Sequence, residues 1–214
     1  ENLEKIIYYV SMDEHTYIYS KLLNKTLVKY NAKIDPPLKY LARDMLNALF
    51  YFHSLKLAHC DIKSNNIMLD FEGNFVLIDF NNCQSEDKFG KFPMATTLGE
   101  RHLDLIVDST DWDYKIDMWA VGTVVYLLFT GNHLLYHVLS ACRRSESAAE
   151  NEKLNWYEKS QLQAEYSKVF ARLYNGTDYK TNDMDQIYQI VHFMMNTKRL
   201  TREVLNQFKI LFLE

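Results

Sequence analysis

The twelve residues from Met118 to Phe129, MWAVGTVVYLLF, carry no charge and only one plainly polar side chain, Thr123. A helix made from that run is apolar on every side, so other elements must enclose it. The run is also too short to cross a bilayer. The chain must therefore wrap a core around one buried helix. With 214 residues and 48% hydrophobic composition it has the material to do so in one domain, or in a large domain carrying a remnant of a second.

The rest of the chain supplies the wrapping. KIIYYVSM and TYIYSKLL are rich in β-branched and aromatic residues, and the DEH between them suits a hairpin turn. Asp35-Pro36-Pro37 reads as a helix start, with Asp35 as cap and proline in the first turn, where no N–H is needed. Leu38, Leu41, Ala42, Met45, Leu46, Leu49 and Phe50 then recur at helical intervals and form one apolar stripe. NIML and FVLID, separated by Glu72-Gly73-Asn74, form a second hairpin pattern. Residues 81–112 read as a long loop. Helical patterning resumes at Ile116 and again over 160–174, 184–195 and 201–212, while 143–153, RRSESAAENEK, is a polar insertion. No internal repeat is found.

Composition narrows the function classes. A net charge of −4 gives no reason to expect nucleic acid or an anionic membrane as partner. Cys60, Cys83 and Cys142 lack metal-ligand spacing, and an odd count argues against a disulfide framework. A reducing, intracellular compartment, cytoplasmic or nuclear, is the expectation. Residues 1–15 are mixed and charged, unlike a signal peptide. A chain opening on Glu1 rather than methionine is expected to be a piece of a longer one.

The chemistry concentrates in residues 59–82, HCDIKSNNIMLDFEGNFVLIDFNN. Phosphoryl transfer from a nucleotide needs one carboxylate near the attacking hydroxyl and others on Mg²⁺, which neutralises charge on the phosphates. Asp61, at a helix-to-strand corner, can be the first carboxylate. Asn66 and Asp79 can hold metal, and Lys63 can reach the transferred phosphate. This spacing resembles the catalytic loop of eukaryotic-type protein kinases, H-R-D-x-K-x-x-N followed by D-F-G, here HCDIKSNN and then DFN.

The resemblance runs from about Ile6 to Phe208. Asp117-Met118-Trp119-Ala120-Val121-Gly122 is similar to the family's D-x-W-x-x-G, whose aspartate braces the catalytic-loop backbone. Residues 97–104, TLGERHLD, resemble a degraded T-x-x-Y-R-A-P-E, with Asp104 in the acidic position and Arg199 as its expected ion-pair partner. What the resemblance implies is an α+β, protein-kinase-like fold. Residues 1–23 would be a short β remnant of the N-terminal lobe with the hinge, and 24–214 the mainly helical C-terminal lobe. The latter would hold catalytic loop 59–66, activation segment 79–104 and the polar insertion. It further implies ATP and Mg²⁺ as cofactors, with Asp61 and Lys63 catalytic and Asn66 and Asp79 on the metal. Ser20 (the gatekeeper), Lys21, Leu22, Leu23 and Met68 would surround adenine. His59 is expected to be structural, and Ser85, Thr96 and Thr97 to be ordinary polar loop residues.

Departures from the pattern are also visible. The first of six glycines is Gly73, so no glycine-rich loop precedes the hinge. Cys60 replaces the arginine of the loop motif, His102-Leu103 replaces Ala-Pro, and Asn81 replaces the glycine of D-F-G, where asparagine tolerates left-handed backbone. The lysine two residues after the aspartate marks the serine/threonine branch, with a protein as substrate. The isolated chain is expected to transfer no phosphate without a small lobe. The alternative is a truncated kinase-like protein that binds and modulates another kinase without catalysis. Some viruses use such decoys, and the asparagine-, lysine- and tyrosine-rich composition is compatible with a viral or parasite source. A non-kinase helical scaffold fits the order of motifs poorly.

Overall fold

The computed structural model describes residues 2–12, 15–91, 96–102, 105, 110, 112–136, 160, 161, 164, 165, 168, 183–198 and 200–213. The expected central helix is α2, Lys115–Thr130, in which every residue from Ile116 to Tyr126 is buried. It ends on Gly131, whose left-handed backbone (φ 75°) closes the helix with a bond from its N–H to the Leu127 carbonyl. Around it lie α1 (Leu38–Ser54), α3 (Asp183–Asn196) and α4 (Arg202–Phe212). One continuous core joins α1 residues Leu41, Met45 and Leu49 to Met118, Val121 and Val125 of α2, and to Ile190, Val191 and Met194 of α3. α4 starts where the sequence predicts, with the Thr201 side chain accepting the Val204 N–H at 3.2 Å.

The strands form three small sheets. β1 (Ile6–Met12) and β2 (His15–Ser20) make the expected antiparallel hairpin. β3 (Lys25–Thr26), β5 (Ile67–Leu69) and β6 (Phe75–Leu77) make a second sheet, in which β5 is central. β4 (Leu57–Ala58) pairs antiparallel with β7 (Gln84–Ser85). Asp44 breaks the apolar character of α1, yet is 2% exposed: its Oδ2 accepts the Phe75 N–H at 3.0 Å while Arg43 pairs with Oδ1 at 2.8 Å. That carboxylate ties α1 to the second hairpin. Asn2, ahead of β1, is tied to that same hairpin, its carbonyl accepting the Leu77 N–H and its side-chain amide donating to the Phe75 carbonyl.

Several expectations are corrected. Asp35 does not cap α1, which begins at Leu38 after Pro37; its carboxylate accepts the Asn31 N–H at 2.6 Å and pairs with Lys25. Two successive prolines hold the chain extended, so the cap position falls too far on for Asp35 to reach. The loop over 81–112 also contains β7 and two short 3-10 turns, Glu86–Lys88 and Leu98–Glu100. Asp13, Glu14, Asp104, Arg199 and the insertion 143–153 lie outside the described residues, as does most of 160–174.

Gly122 is where α2 and α3 come closest. A Cβ there would stand 2.6 Å from Met195 Cγ, 3.2 Å from Met194 Cβ and 3.4 Å from the Val191 carbonyl oxygen. Overpacking a contact of this kind costs about 1–3 kcal/mol. Gly122→Val is therefore expected to lower the unfolding free energy measured in urea by that amount, and an unchanged value would show that the helices separate freely.

Candidate active site

A short, left-handed corner follows β4. Burial pushes the His59 imidazole below its ordinary pKa, against the pull of neighbouring carboxylates, so it is neutral near pH 7. Its Nε2 lies 3.1 Å from the Ile78 carbonyl and its Nδ1 3.3 Å from the Asp61 N–H. Both ring nitrogens are thus occupied, which fixes a neutral Nε2–H tautomer and makes His59 a structural strut, as expected. Cys60 takes a positive φ of 67°.

The strain at this corner is offset by Asp117, in the first turn of α2. Its Oδ2 accepts the His59 N–H at 2.8 Å and lies 3.1 Å from His53 Nε2, and its Oδ1 accepts the Cys60 N–H at 2.9 Å. The carboxylate is 1% exposed. Burial alone would raise its pKa, but the hydrogen bonds it accepts from His53 and from the His59 N–H hold it below the usual carboxylate range.

This corner delivers Asp61, whose two carboxylate oxygens are in different situations. Oδ2 receives Lys63 Nζ at 2.7 Å, Asn66 Nδ2 at 3.2 Å and Asn82 Nδ2 at 3.3 Å. Oδ1 receives the Thr97 hydroxyl at 3.0 Å. Asn66, in the 3-10 turn Ser64–Asn66, also donates to the Asp61 carbonyl at 2.9 Å, and its own carbonyl accepts the Ile78 N–H at 2.9 Å. That last bond holds the entry to Asp79 beside the loop. Asp79 is half-buried with a φ of 62°, and its Oδ1 accepts the Asn81 N–H at 3.4 Å.

Asp61, Lys63 and Asn66 are therefore bonded together, with Asp79 following directly on a residue tied to Asn66. The left-handed residue of DFN is Asp79 rather than Asn81, so the tolerance of asparagine for that geometry is not used here. Ser20 ends β2 and Lys21 to Leu23 lie between β2 and β3, with Lys21 and Leu22 exposed, while Met68 sits half-buried in β5 opposite Thr26. A cavity of about 530 Å³ is lined by Lys21 but otherwise by residues such as Asn2, Arg43 and Asp70, so it is not a pocket formed with Asp61.

Asn82, Thr97 and Glu100 were not expected at this site. Thr97 and Glu100 are separated from Asp61 by more than 35 residues, and nothing in the local sequence announces the contact. Glu100 is 4% exposed, beside His133, with Nδ1–Oε1 at 3.6 Å. Gly99 permits that approach, since a Cβ there would collide with the His133 ring. Burial pushes the Glu100 carboxyl up to about 7, with the charge of Asp61 adding to the rise and Lys63 opposing it.

The family model described as protein kinase domain matches residues 1–208. The chain is similar to the serine/threonine-protein kinase RUNKEL of Arabidopsis thaliana, 33% identical over 111 residues, which is 50% of this chain and 8% of that protein. It is similar to cyclin-dependent kinase C-2 of Oryza sativa subsp. japonica, 35% identical over 103 residues, 47% of this chain and 20% of that protein. It is similar also to the serine/threonine-protein kinase Sgk1 of Rattus norvegicus, 29% identical over 99 residues, 46% of this chain and 23% of that protein. The matched stretches thus span less than a quarter of each relative's length.

Two predictions concern the charges around the corner. Asp117→Ala leaves two buried backbone N–H groups and His53 without an acceptor, so a loss of about 3 kcal/mol or more is expected in urea unfolding. A loss under about 1 kcal/mol would show that the corner holds itself. For Glu100 the folded pKa of about 7 lies above the ordinary 4.5, so between those values the folded state keeps a proton that the unfolded chain has released. Stability then declines as pH rises across that window. Glu100→Gln is expected to remove the decline, so its advantage over the wild-type chain grows from pH 5 to pH 8; parallel stability curves would refute this.

Proposed function

This chain belongs to the protein kinase family, and on that premise we propose that it carries the large lobe of an ATP- and Mg²⁺-dependent serine/threonine protein kinase. Its substrate class is a protein hydroxyl. Residues 1–23 are the remnant of the small lobe with the hinge, and 24–214 the large lobe. One observation carries the proposal: the Asp61 carboxylate is held through Oδ2 by Lys63, Asn66 and Asn82, while Oδ1 bears a single hydroxyl donor. Three donors fix the rotamer, and the other oxygen faces a hydroxyl, as it would in orienting a phosphoacceptor.

The donor set fits the metal. Asn66 spends its amide nitrogen on Asp61, which turns its side-chain oxygen away as a hard ligand, and Asp79 has Oδ2 without a hydrogen bond among the described residues. Mg²⁺ is commonly held by one or two such oxygens, with water and substrate phosphates completing its shell. Among the described residues no group of three or more His, Cys, Asp or Glu could hold a metal alone. Asn66 and Asp79 are thus the residues that would hold it. Bound ATP–Mg²⁺ would supply the phosphoryl group and neutralise its charge. Lys63, bonded to Asp61 at 2.7 Å, would supply a positive charge to the transferred phosphoryl group. Ser20, Lys21, Leu22, Leu23 and Met68 are proposed as the adenine wall.

The exposed hairpin is consistent with more polypeptide packing against it. Ile7, Tyr9 and Ile18 of β1 and β2 are 65%, 70% and 59% exposed, an apolar surface of the kind that small-lobe strands cover. Alone, the 214 residues are expected to incorporate no radiolabelled phosphate into a protein substrate above an Asp61→Asn blank. With a glycine-rich small lobe supplied upstream, incorporation is expected, and Asp61→Asn should lower it by about 10²-fold or more. Equal incorporation by both forms would remove Asp61 from its role. Silence of the extended chain would favour the non-catalytic, kinase-binding alternative.

A further inference from the structure

The sequence separates Cys60 and Cys83 by 22 residues and gives no sign that they meet. The fold brings them together. β4 and β7 pair antiparallel with Leu57 opposite Ser85 and Ala58 opposite Gln84. One step further along that ladder sets His59 against Cys83, so Cys60 lies diagonal to it. In a regular ladder opposed residues are about 4.5–5.5 Å apart at Cα and the rise is about 3.4 Å per residue, so a diagonal neighbour there would stand about 6 Å away. A disulfide needs about 4.4–6.8 Å. Side chains alternate faces in a regular strand, which would point the two thiols apart. Cys60, however, has left the strand with a φ of 67°, and this turns its side chain. Its Sγ–H donates to the Ala58 carbonyl at 3.5 Å, and both the Gln84 backbone and the charge of Cys83 act on its thiol. The Cys60 sulfur thus rests against the backbone that carries Cys83.

We propose that Cys60 and Cys83 are a modification site, a dithiol pair that closes to an intramolecular disulfide under a disulfide oxidant such as oxidised glutathione. Cys60 is 2% exposed and Cys83 is half-exposed, so Cys83 reacts first. Its thiolate attacks one glutathione sulfur, the glutathione S–S bond breaks, and one glutathione leaves. The Cys60 thiol gives up its proton and attacks the Cys83 sulfur of the mixed disulfide, releasing the second glutathione. Two protein thiols are oxidised by two electrons, and one glutathione disulfide is reduced to two thiols. Burial pushes both protein thiols up, Cys83 to about 12, so closure is slow near pH 7. For the same reason these sulfurs are poor leaving groups, and the bridge once formed is slow to open.

The bridge would join two segments that must be placed independently. Cys60 immediately precedes Asp61, and Cys83 follows Asn82, which donates to Asp61. Closure pins the corner before Asp61 to the segment after Asp79, and it needs no kinase activity to be seen. The test uses the full 214-residue chain carrying Cys142→Ser, incubated at pH 8 across a series of oxidised-to-reduced glutathione ratios. Intact mass is read after rapid alkylation. The expected product has lost two hydrogens, carries no alkyl group and yields one peptide joining Cys60 to Cys83. With Cys60→Ser added, the expected product is a stable glutathione adduct at Cys83. With Cys83→Ser added, Cys60 stays a free thiol until the chain is unfolded. A persistent Cys83 adduct in the chain that keeps both cysteines, or alkylation of both after urea, would overturn the proposal.

Discussion

The carboxylate of Asp117 is the point on which the rest of this structure depends. It is buried at the start of an enclosed helix and is the acceptor for two consecutive backbone N–H groups and a histidine. Those N–H groups belong to His59 and Cys60, where the chain leaves a strand and passes through left-handed geometry. An L-residue in that conformation costs roughly 1–2 kcal/mol, and the charge-assisted hydrogen bonds are of the right size to offset it. The corner in turn sets the direction in which Asp61 points. A helix that the composition requires to be buried thus fixes the placement of the most chemically distinctive residue in the chain.

Around Asp61 the division of labour is electrostatic. One oxygen collects a cation and two amides, and the other takes a hydroxyl. Asn66 serves both sides, bracing Asp61 through its amide and holding the approach to Asp79 through its backbone carbonyl. The second, smaller cluster brings Leu105, Trp112, Tyr114 and Ile116 against Ala58 and Cys60 at the same corner. Two apolar bodies therefore meet at one loop, and the polar residues lie along the seam. Glu100 is the exception to good accommodation there. Its carboxyl is buried near another carboxylate, and its raised pKa follows from that position.

Physical pattern made much of the fold legible in advance. Period-3.6 stripes marked α1, α3 and α4, since a helix must hide one face. The unbroken apolar run marked α2, since that helix must hide every face. Two hairpins were visible because turn residues separate short β-rich runs. The boundaries were less legible. Asp35 looked like a cap because its residue type suits one, but Lys25 and the Asn31 N–H hold its carboxylate elsewhere. Asn81 is a residue type that tolerates left-handed backbone, but the left-handed residue of this segment is Asp79, directly after Ile78, whose N–H is held by the Asn66 carbonyl.

The order of Asp61, Lys63, Asn66, Asp79 and Asp117 was written in the sequence, because these residues lie on or beside elements whose local pattern is strong. Their spacing along the chain is short enough for local geometry to bring most of them together. Contacts that close over long separations were decided by the tertiary structure alone. Thr97 reaches Asp61 across 36 residues, and Asp117 reaches His59 across 58. Glu100 is buried where the charge of Asp61 reaches it, and the segments that carry Cys60 and Cys83 come side by side because β4 and β7 pair. No periodicity encodes such contacts: each depends on how enclosed helices position loops that carry no pattern of their own.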